Sequence, residues 1–363
     1  MDVDTQLEGS PKAPKPHDFL WFPDGNVVLA TDTYLFKVHK SLLSVHSSVF
    51  KDMFELPDVG HDSSIPGGPG RSDAALASDS YKGVPMVTMV GDKGEDVAHL
   101  LRAVFDPNYY HRDDDDTPLE VVVALLLLST KYDFNGVRKN VIRHLSRHYP
   151  MTLREYEAAD RDEDVPLFGK SREDCDFSLL AAAVTAEADV LLPCLFFVCS
   201  NYSIDTTLDR MQSVPREALH ILIRGRESLT TCINKFIVSL PSQLYEREPT
   251  IDCPRVSSRS CFANASCSES NLEDYIQTQF KTFTGAIIMG DCFGFICREC
   301  RYIAESMVDE KRKEIWDAIP TRYKFPEWGV LQDKLKALLE SCNKSMDCDR
   351  HTSICSPLHP VSR

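Results

Sequence analysis

The sequence predicts an α+β protein in which a small mixed sheet and a helical cluster precede a mainly α-helical extension. Three observations support this fold class. Two short runs rich in β-branched and aromatic residues, VVL at 27–29 and YLFKV at 34–38, follow one another near the N-terminus. From residue 39 onward the apolar residues recur at helical spacing. Residues 151–250 carry helical patterns throughout.

The two apolar runs predict a β-hairpin. A turn signal, PDG at 23–25, precedes the first run, and TDT at 31–33 separates it from the second. The next segment predicts an amphipathic helix. Its apolar residues are Leu42, Leu43, Val49, Phe50, Met53 and Phe54.

Residues of unlike chemistry fall at fixed spacing across segment 18–54. They are Asp18, FKVHK at 36–40, LL at 42–43, Ser47 three positions before Phe50, and MF at 53–54. This pattern closely resembles the start of a BTB/POZ domain. The resemblance implies the BTB/POZ fold over residues 18–150. It also implies protein binding without catalysis, by homo- or hetero-association as a scaffold or adaptor.

Within this region we predict a flexible insertion at residues 57–83, because the segment is rich in Gly, Pro, Ser and Asp. A strand follows at 84–90. Asp92 and Glu95 then predict a capping box that starts a helix. Residues 119–128 are apolar apart from Glu120 and predict a fully buried helix, and residues 134–148 predict the last helix of the domain.

The remaining chain is predicted to have four parts. Residues 1–17 and 346–363 are expected to be disordered tails, residues 151–250 a helical extension, and residues 251–345 a cysteine-bearing, mainly helical region. The segments EIWDAIP at 314–320 and FPEW at 325–328 resemble, more loosely, the tail of many fungal BTB proteins. The sequence shows no tandem repeat, which argues against a solenoid or propeller.

Composition and motifs exclude several classes of function. The net charge of −15 and the lack of a basic stripe argue against direct nucleic-acid binding. The apolar segment 177–199 contains Glu187, Asp189 and Pro193, so it predicts two buried helices rather than a membrane span. No secretory signal is visible, which predicts an intracellular protein of the cytoplasm or nucleus. The absence of catalytic motifs, together with the resemblance, predicts that the chain is not an enzyme.

The thirteen cysteines all lie at or beyond Cys175. Cys297 and Cys300 have the spacing at which two thiolates reach one tetrahedral metal, and Cys261 and Cys267 form a second, wider pair upstream. One interpretation is a structural Zn²⁺ site with these four ligands, although Cys253 and Cys292 compete for the same role. The other interpretation is that most of these cysteines are small buried hydrophobic residues.

The resemblance also implies roles for individual residues. Asp18 and Lys40 match the positions that form a small charged pocket at BTB dimer interfaces, although an ordinary surface ion pair is the alternative. His39 matches a hydrogen-bonded structural residue at the helix start. For the contact surface, two hypotheses stay open: a helical face around Leu42, Val49 and Phe50, or a strand edge from Val27 to Leu29.

The predicted partner is another polypeptide, and a second copy of the chain is one candidate. Domain-swapped dimers of the family place an extra helix and strand before the first core strand. Residues 1–17 contain no such helix, which argues against obligate swapping. Cullin-binding members carry a hydrophobic-x-Glu element where this chain has SYKG at 80–83. The competing functions are therefore a cullin-ligase substrate adaptor, which lacks that support, and a transcriptional regulator acting through a partner.

Overall fold

The computed structural model describes residues 13–55, 80–159, 166–212, 214–246, 280, 283–292 and 296–340. The chain divides into two compact units, Met1–His144 and Leu145–Arg363. The first unit contains a small mixed sheet with helices, and the described part of the second is mainly helical. This confirms the predicted α+β class with a helical extension.

Five strands form one sheet in the first unit, in the order β1-β3-β2-β5-β4. They are β1 (Lys15–Trp21), β2 (Val27–Ala30), β3 (Tyr34–Val38), β4 (Ser80–Tyr81) and β5 (Val84–Thr88). β2 and β3 form the predicted antiparallel hairpin. β2 also pairs in parallel with β5, and β3 in parallel with β1. The hairpin therefore occupies the interior of the sheet.

The turn between β2 and β3 is fixed by side chains that the sequence places there. Thr31 Oγ1 donates to the carbonyl oxygen of Tyr34 at 3.0 Å and accepts from the amide of Tyr34 at 3.1 Å. Asp32 Oδ1 accepts from the amide of Gly94 at 2.8 Å. The turn thus closes the hairpin and also contacts the start of the next helix.

Two predicted boundaries are wrong. The tail expected over residues 1–17 ends earlier, because β1 begins at Lys15, whose amide donates to the carbonyl oxygen of Thr33 at 3.1 Å. β1 has no alternating pattern, since Leu20 is its only fully buried side chain, and pairing with β3 is what orders it. The insertion expected over 57–83 also ends earlier, because Ser80–Tyr81 pairs with β5. Residues 1–12, 57–79 and 346–363 lie outside the described part.

The described part of the first unit also contains four helices and the start of a fifth. They are α1 (Lys40–His46), α2 (Ser48–Glu55), α3 (Gly94–Phe105) and α4 (Leu119–Lys131), and α5 (Asn135–His148) then leads into the second unit. The single amphipathic helix predicted after residue 39 is in fact two helices. Ser47 between them has extended backbone, with φ −139° and ψ 121°. α4 is buried along most of its length, as its apolar run predicts.

The capping box predicted at Asp92 and Glu95 is also wrong. α3 begins at Gly94, and its N-cap, Lys93, makes no side-chain capping hydrogen bond. Asp92 instead accepts hydrogen bonds from Lys131 Nζ at 2.6 Å and from the hydroxyl of Tyr132. Burial, followed by this contact with Asp92, raises the pKa of Tyr132. The Asp92 carboxylate, which the local sequence pattern assigns to a helix cap, therefore binds residues at the end of α4 instead.

The second unit contains nine helices among its described residues. They are α6 (Leu153–Ala159), α7 (Arg172–Thr185), α8 (Leu192–Cys199), α9 (Ile204–Arg210), α10 (Arg216–Glu246), α11 (Gly285–Cys292), α12 (Arg298–Asp317), α13 (Ile319–Arg322) and α14 (Trp328–Glu340). α7 and α8 are the two buried helices predicted from the apolar segment 177–199. Across the described ranges, no helix combines the length and apolar character needed to cross a membrane.

Aromatic side chains form much of the core of the second unit. Trp316 is 1% exposed and contacts Tyr156, Phe197 and Trp328, with its ring centroid 5.6 Å from that of Trp328. Tyr323 is fully buried and packs directly on Gly225 of α10. Trp316, Tyr323 and Trp328 are therefore structural residues of this unit.

Candidate partner-binding surface

The strand-edge hypothesis places the contact surface at Val27 and Leu29, and it is wrong. Both side chains are fully buried. Their strand, β2, pairs with β3 on one side and with β5 on the other, so its backbone groups are already hydrogen-bonded. Val27 and Leu29 are therefore core residues, and neither side chain is available to a partner.

Phe50 is likewise a core residue rather than a contact residue. Its side chain is fully buried, and its ring lies 5.3 Å from that of Tyr132 in a stacked arrangement. Ser47 explains the spacing of the motif: its hydroxyl accepts from the amide of Phe50 at 3.0 Å and donates to the carbonyl oxygen of Tyr132 at 2.5 Å. Ser47 therefore caps α2 while connecting it to the end of α4.

His39 is partly exposed and makes a local contact. Its Nε2 lies 3.2 Å from Asp24 Oδ2, and its ring packs against those of Phe22 and Phe105. The hydrogen bond with His39 lowers the pKa of the Asp24 carboxyl. This arrangement fits a structural residue that connects the turn before β2 to the start of α1.

Asp18 and Lys40 do not pair with each other within the described part of the chain. Asp18 is exposed on β1. Lys40 is positioned by its amide, which donates to Asn26 Oδ1 at 2.8 Å, and its ammonium group lies 5.3 Å from the ring centroid of Phe54. A surface ion pair between these two residues is therefore absent from the described part of the chain, and the charged pocket at a dimer interface stays a prediction.

The helical hypothesis retains Leu42 and Val49, which are both half-buried. Between them lies Val45, whose side chain is 77% exposed. Sequence reasoning missed Val45, although its spacing of three residues from Leu42 places the two on the same side of α1. We call Leu42, Val45 and Val49 the α1–α2 face. Leu42 and Val49 remain from the predicted apolar contact residues, and Val45 is added by the structure.

The two outer strands of the sheet are poorly suited to adding another strand. Between the pairs Pro16–Leu35 and Trp21–Lys37, β1 advances five residues while β3 advances two, so β1 bulges away from regular pairing. At the opposite edge, β4 has only two residues. Bulges and very short edge strands are devices that discourage pairing between sheets. Side-chain surfaces are therefore better candidates than backbone edges.

A comparison with family models decides the identity of this region. The model of the BTB/POZ domain matches residues 24–66. The N-terminal unit carries a BTB/POZ domain. Such domains are generally protein-interaction modules that mediate association between polypeptides. The matched segment of the BTB/POZ domain includes His39, Lys40 and the α1–α2 face, whereas Asp18 lies outside it.

Searches of curated proteins and of solved structures found no protein that matches the chain. The family assignment therefore rests on the BTB/POZ segment itself.

The described residues leave the zinc prediction open. Cys261 and Cys267 lie outside them. Cys297 is the N-cap of α12, and its Sγ accepts from the amide of Cys300 at 3.4 Å, while Cys300 is fully buried. Half of the proposed ligand set is thus close together at the start of one helix, and the four-thiolate site stays a prediction.

Proposed function

We propose that this chain is a non-catalytic protein-association module whose BTB/POZ domain binds a partner polypeptide through the α1–α2 face. The observation that carries the proposal is Val45, an aliphatic side chain that is 77% exposed on a short helix of the family-matched segment. Leu42 and Val49, each half-buried, extend the apolar surface around it.

The composition of this surface suits an interface. Protein interfaces commonly have an apolar centre and a polar, solvent-accessible rim. Here exposed Lys51 and Asp52 on α2 supply polar groups close in sequence to Val49. Burying a valine side chain stabilises a complex by about 1.5–3 kcal/mol at most, which corresponds to roughly a tenfold to hundredfold change in affinity.

We propose a second copy of the chain as the partner to test first. In a two-fold symmetric dimer the same patch is used by both subunits, so one substitution changes the interface twice. The experiment measures self-association of the full chain by sedimentation equilibrium, for the wild type and for Val45→Glu. We expect the substitution to weaken association at least about tenfold, because each copy would bury an unpaired carboxylate.

Val90 provides a matched control, since it is also a valine and is 79% exposed, but lies just after β5. Val90→Glu adds the same charge at similar exposure and should leave self-association unchanged. Equal weakening by both substitutions would argue for a general charge effect. A wild-type chain that stays monomeric removes the homodimer, and the same two variants then test binding to a heterologous partner identified by crosslinking.

A cullin-ligase adaptor and a transcriptional regulator are the two finer alternatives, and the first lacks support because residues 80–83, SYKG, contain no glutamate.

A further inference from the structure

The bulge in β1 is held by one side chain. His17 Nδ1 accepts hydrogen bonds from two successive backbone amides, those of Phe19 and Leu20, each at 3.2 Å. These amides lie within the stretch of β1 that departs from regular pairing with β3. A single imidazole nitrogen thus takes the place of the carbonyl acceptors that a regular strand would provide.

The ring of His17 is fixed in position by β3. It packs edge-on against Tyr34, with centroids 5.0 Å apart, and lies 5.3 Å from Phe36. The hydroxyl of Tyr34 in turn donates to Glu95 Oε1 of α3 at 2.8 Å. The imidazole therefore has a defined orientation in which Nδ1 faces the two amides.

This arrangement requires a neutral ring. Nδ1 can accept only while it carries a lone pair, and protonation converts it into a donor facing two other donors. Burial lowers the pKa of His17. Of the charged groups near it, Asp18 and Glu95 raise this pKa, whereas Arg102 of α3 and Lys15 lower it. These four neighbours come from β1 itself and from α3.

We propose that His17 is a pH-sensitive latch on the bulge of β1. The neutral imidazole holds the amides of Phe19 and Leu20, and protonation releases both. The release changes the outer strand of the sheet at a point where Phe19 is 52% exposed. It gives the protein an acid-sensitive edge that does not depend on the α1–α2 face.

The direction of the pH dependence follows from linkage. A histidine whose pKa is lower in the folded protein than in the unfolded chain binds fewer protons when folded. Its contribution to stability is present above the ordinary histidine pKa of about 6.5 and is lost as the pH falls through the lower folded value. Acidification therefore opens the latch.

The test measures hydrogen exchange of the Phe19 and Leu20 amides in the full chain, normalised for intrinsic exchange. The pKa of His17 is measured in parallel by NMR. We expect the normalised rate to rise about tenfold for each unit that the pH falls toward the measured pKa, and to level off below it, as release by one proton requires. The amide of Phe22, which donates to the carbonyl oxygen of Lys37 at 2.9 Å, is the internal reference.

Two variants separate the latch from a general effect of acid. His17→Asn retains an acceptor that does not titrate, so protection should persist and become independent of pH. His17→Ala removes the acceptor, so exchange should be fast at every pH. The proposal is overturned if the wild-type rate does not change across the measured pKa, if His17→Asn keeps the tenfold slope, or if His17→Ala remains protected.

Discussion

Replacement of Ser47 by alanine should destabilise the BTB/POZ domain more than its small size suggests. The hydroxyl caps α2 through the amide of Phe50, and loss of such a cap typically costs about 1 kcal/mol. The same hydroxyl donates to the carbonyl oxygen of Tyr132, and a buried acceptor left without its donor costs about 1–3 kcal/mol. Because Ser47 is 1% exposed, water cannot readily replace either bond. We expect a total loss of roughly 2–4 kcal/mol.

The measurement is native-state hydrogen exchange on the slowest amides of α4, which report opening of this unit alone. A loss of 2–4 kcal/mol corresponds to exchange that is roughly 30- to 850-fold faster. Ser48→Ala is the matched control, since Ser48 is exposed and its hydroxyl donates to the side chain of Asp133 at the surface. We expect that control to change stability by about 0.5 kcal/mol or less. Similar exchange in the two variants would refute the reasoning.

Three further predictions concern a close contact, a helix start and the cysteines. Gly225→Ala should destabilise the helical unit by about 1–3 kcal/mol, because the added Cβ would lie 2.0 Å from Tyr323 Cε1 and this overpacking outweighs the gain in helix propensity. The control is Gly329→Ala, whose Cβ would have nothing within 4 Å and which should be nearly neutral. Urea unfolding followed by tryptophan fluorescence measures both. Asp32→Ala should speed exchange of the Gly94 amide severalfold. Hydrogen bonds from Thr33 and Gly94 lower the pKa of Asp32, so in the wild type this protection should be complete above the ordinary Asp pKa of about 3.9 and should be lost as the pH falls through the lower pKa of the folded protein. Protection that neither the substitution nor acid changes would contradict the role. Elemental analysis of a folded, reduced sample should find one Zn²⁺ per chain that Cys300→Ser releases, and a metal-free folded sample would reject the four-thiolate site.

The sequence predicted the hairpin and the buried helices because both rest on local patterns. Residues 27–38 combine β-branched runs with a short polar separator, and β2 and β3 pair across it. The run 119–128 of α4 is apolar apart from Glu120, and the structure buries most of it and leaves Glu120 exposed. The spacing of Ser47 and Phe50 also has a local cause, since a capping side chain reaches the amide three residues ahead.

The predictions that failed depend on pairing between distant residues. An apolar run such as 27–29 fits an interior strand as well as an edge, and only the later strand β5 decides between them. Asp92 has the local pattern of a cap, but Lys131 and Tyr132, about forty positions away, bind it instead. Phe50 is on the predicted apolar face, yet packing with Tyr132 removes it from the surface.

β1 protects the neighbouring strand, β3, from pairing with other molecules. It covers the side of β3 that β2 leaves open, and it buries Leu20 as it does so. A chain shortened by proteolysis or by a later start codon, so that it begins at Phe22, would lose that cover. The backbone hydrogen-bonding groups of Tyr34–Val38 would then be exposed at the edge of the sheet. Strands of other molecules could pair with them, which would lead to aggregation.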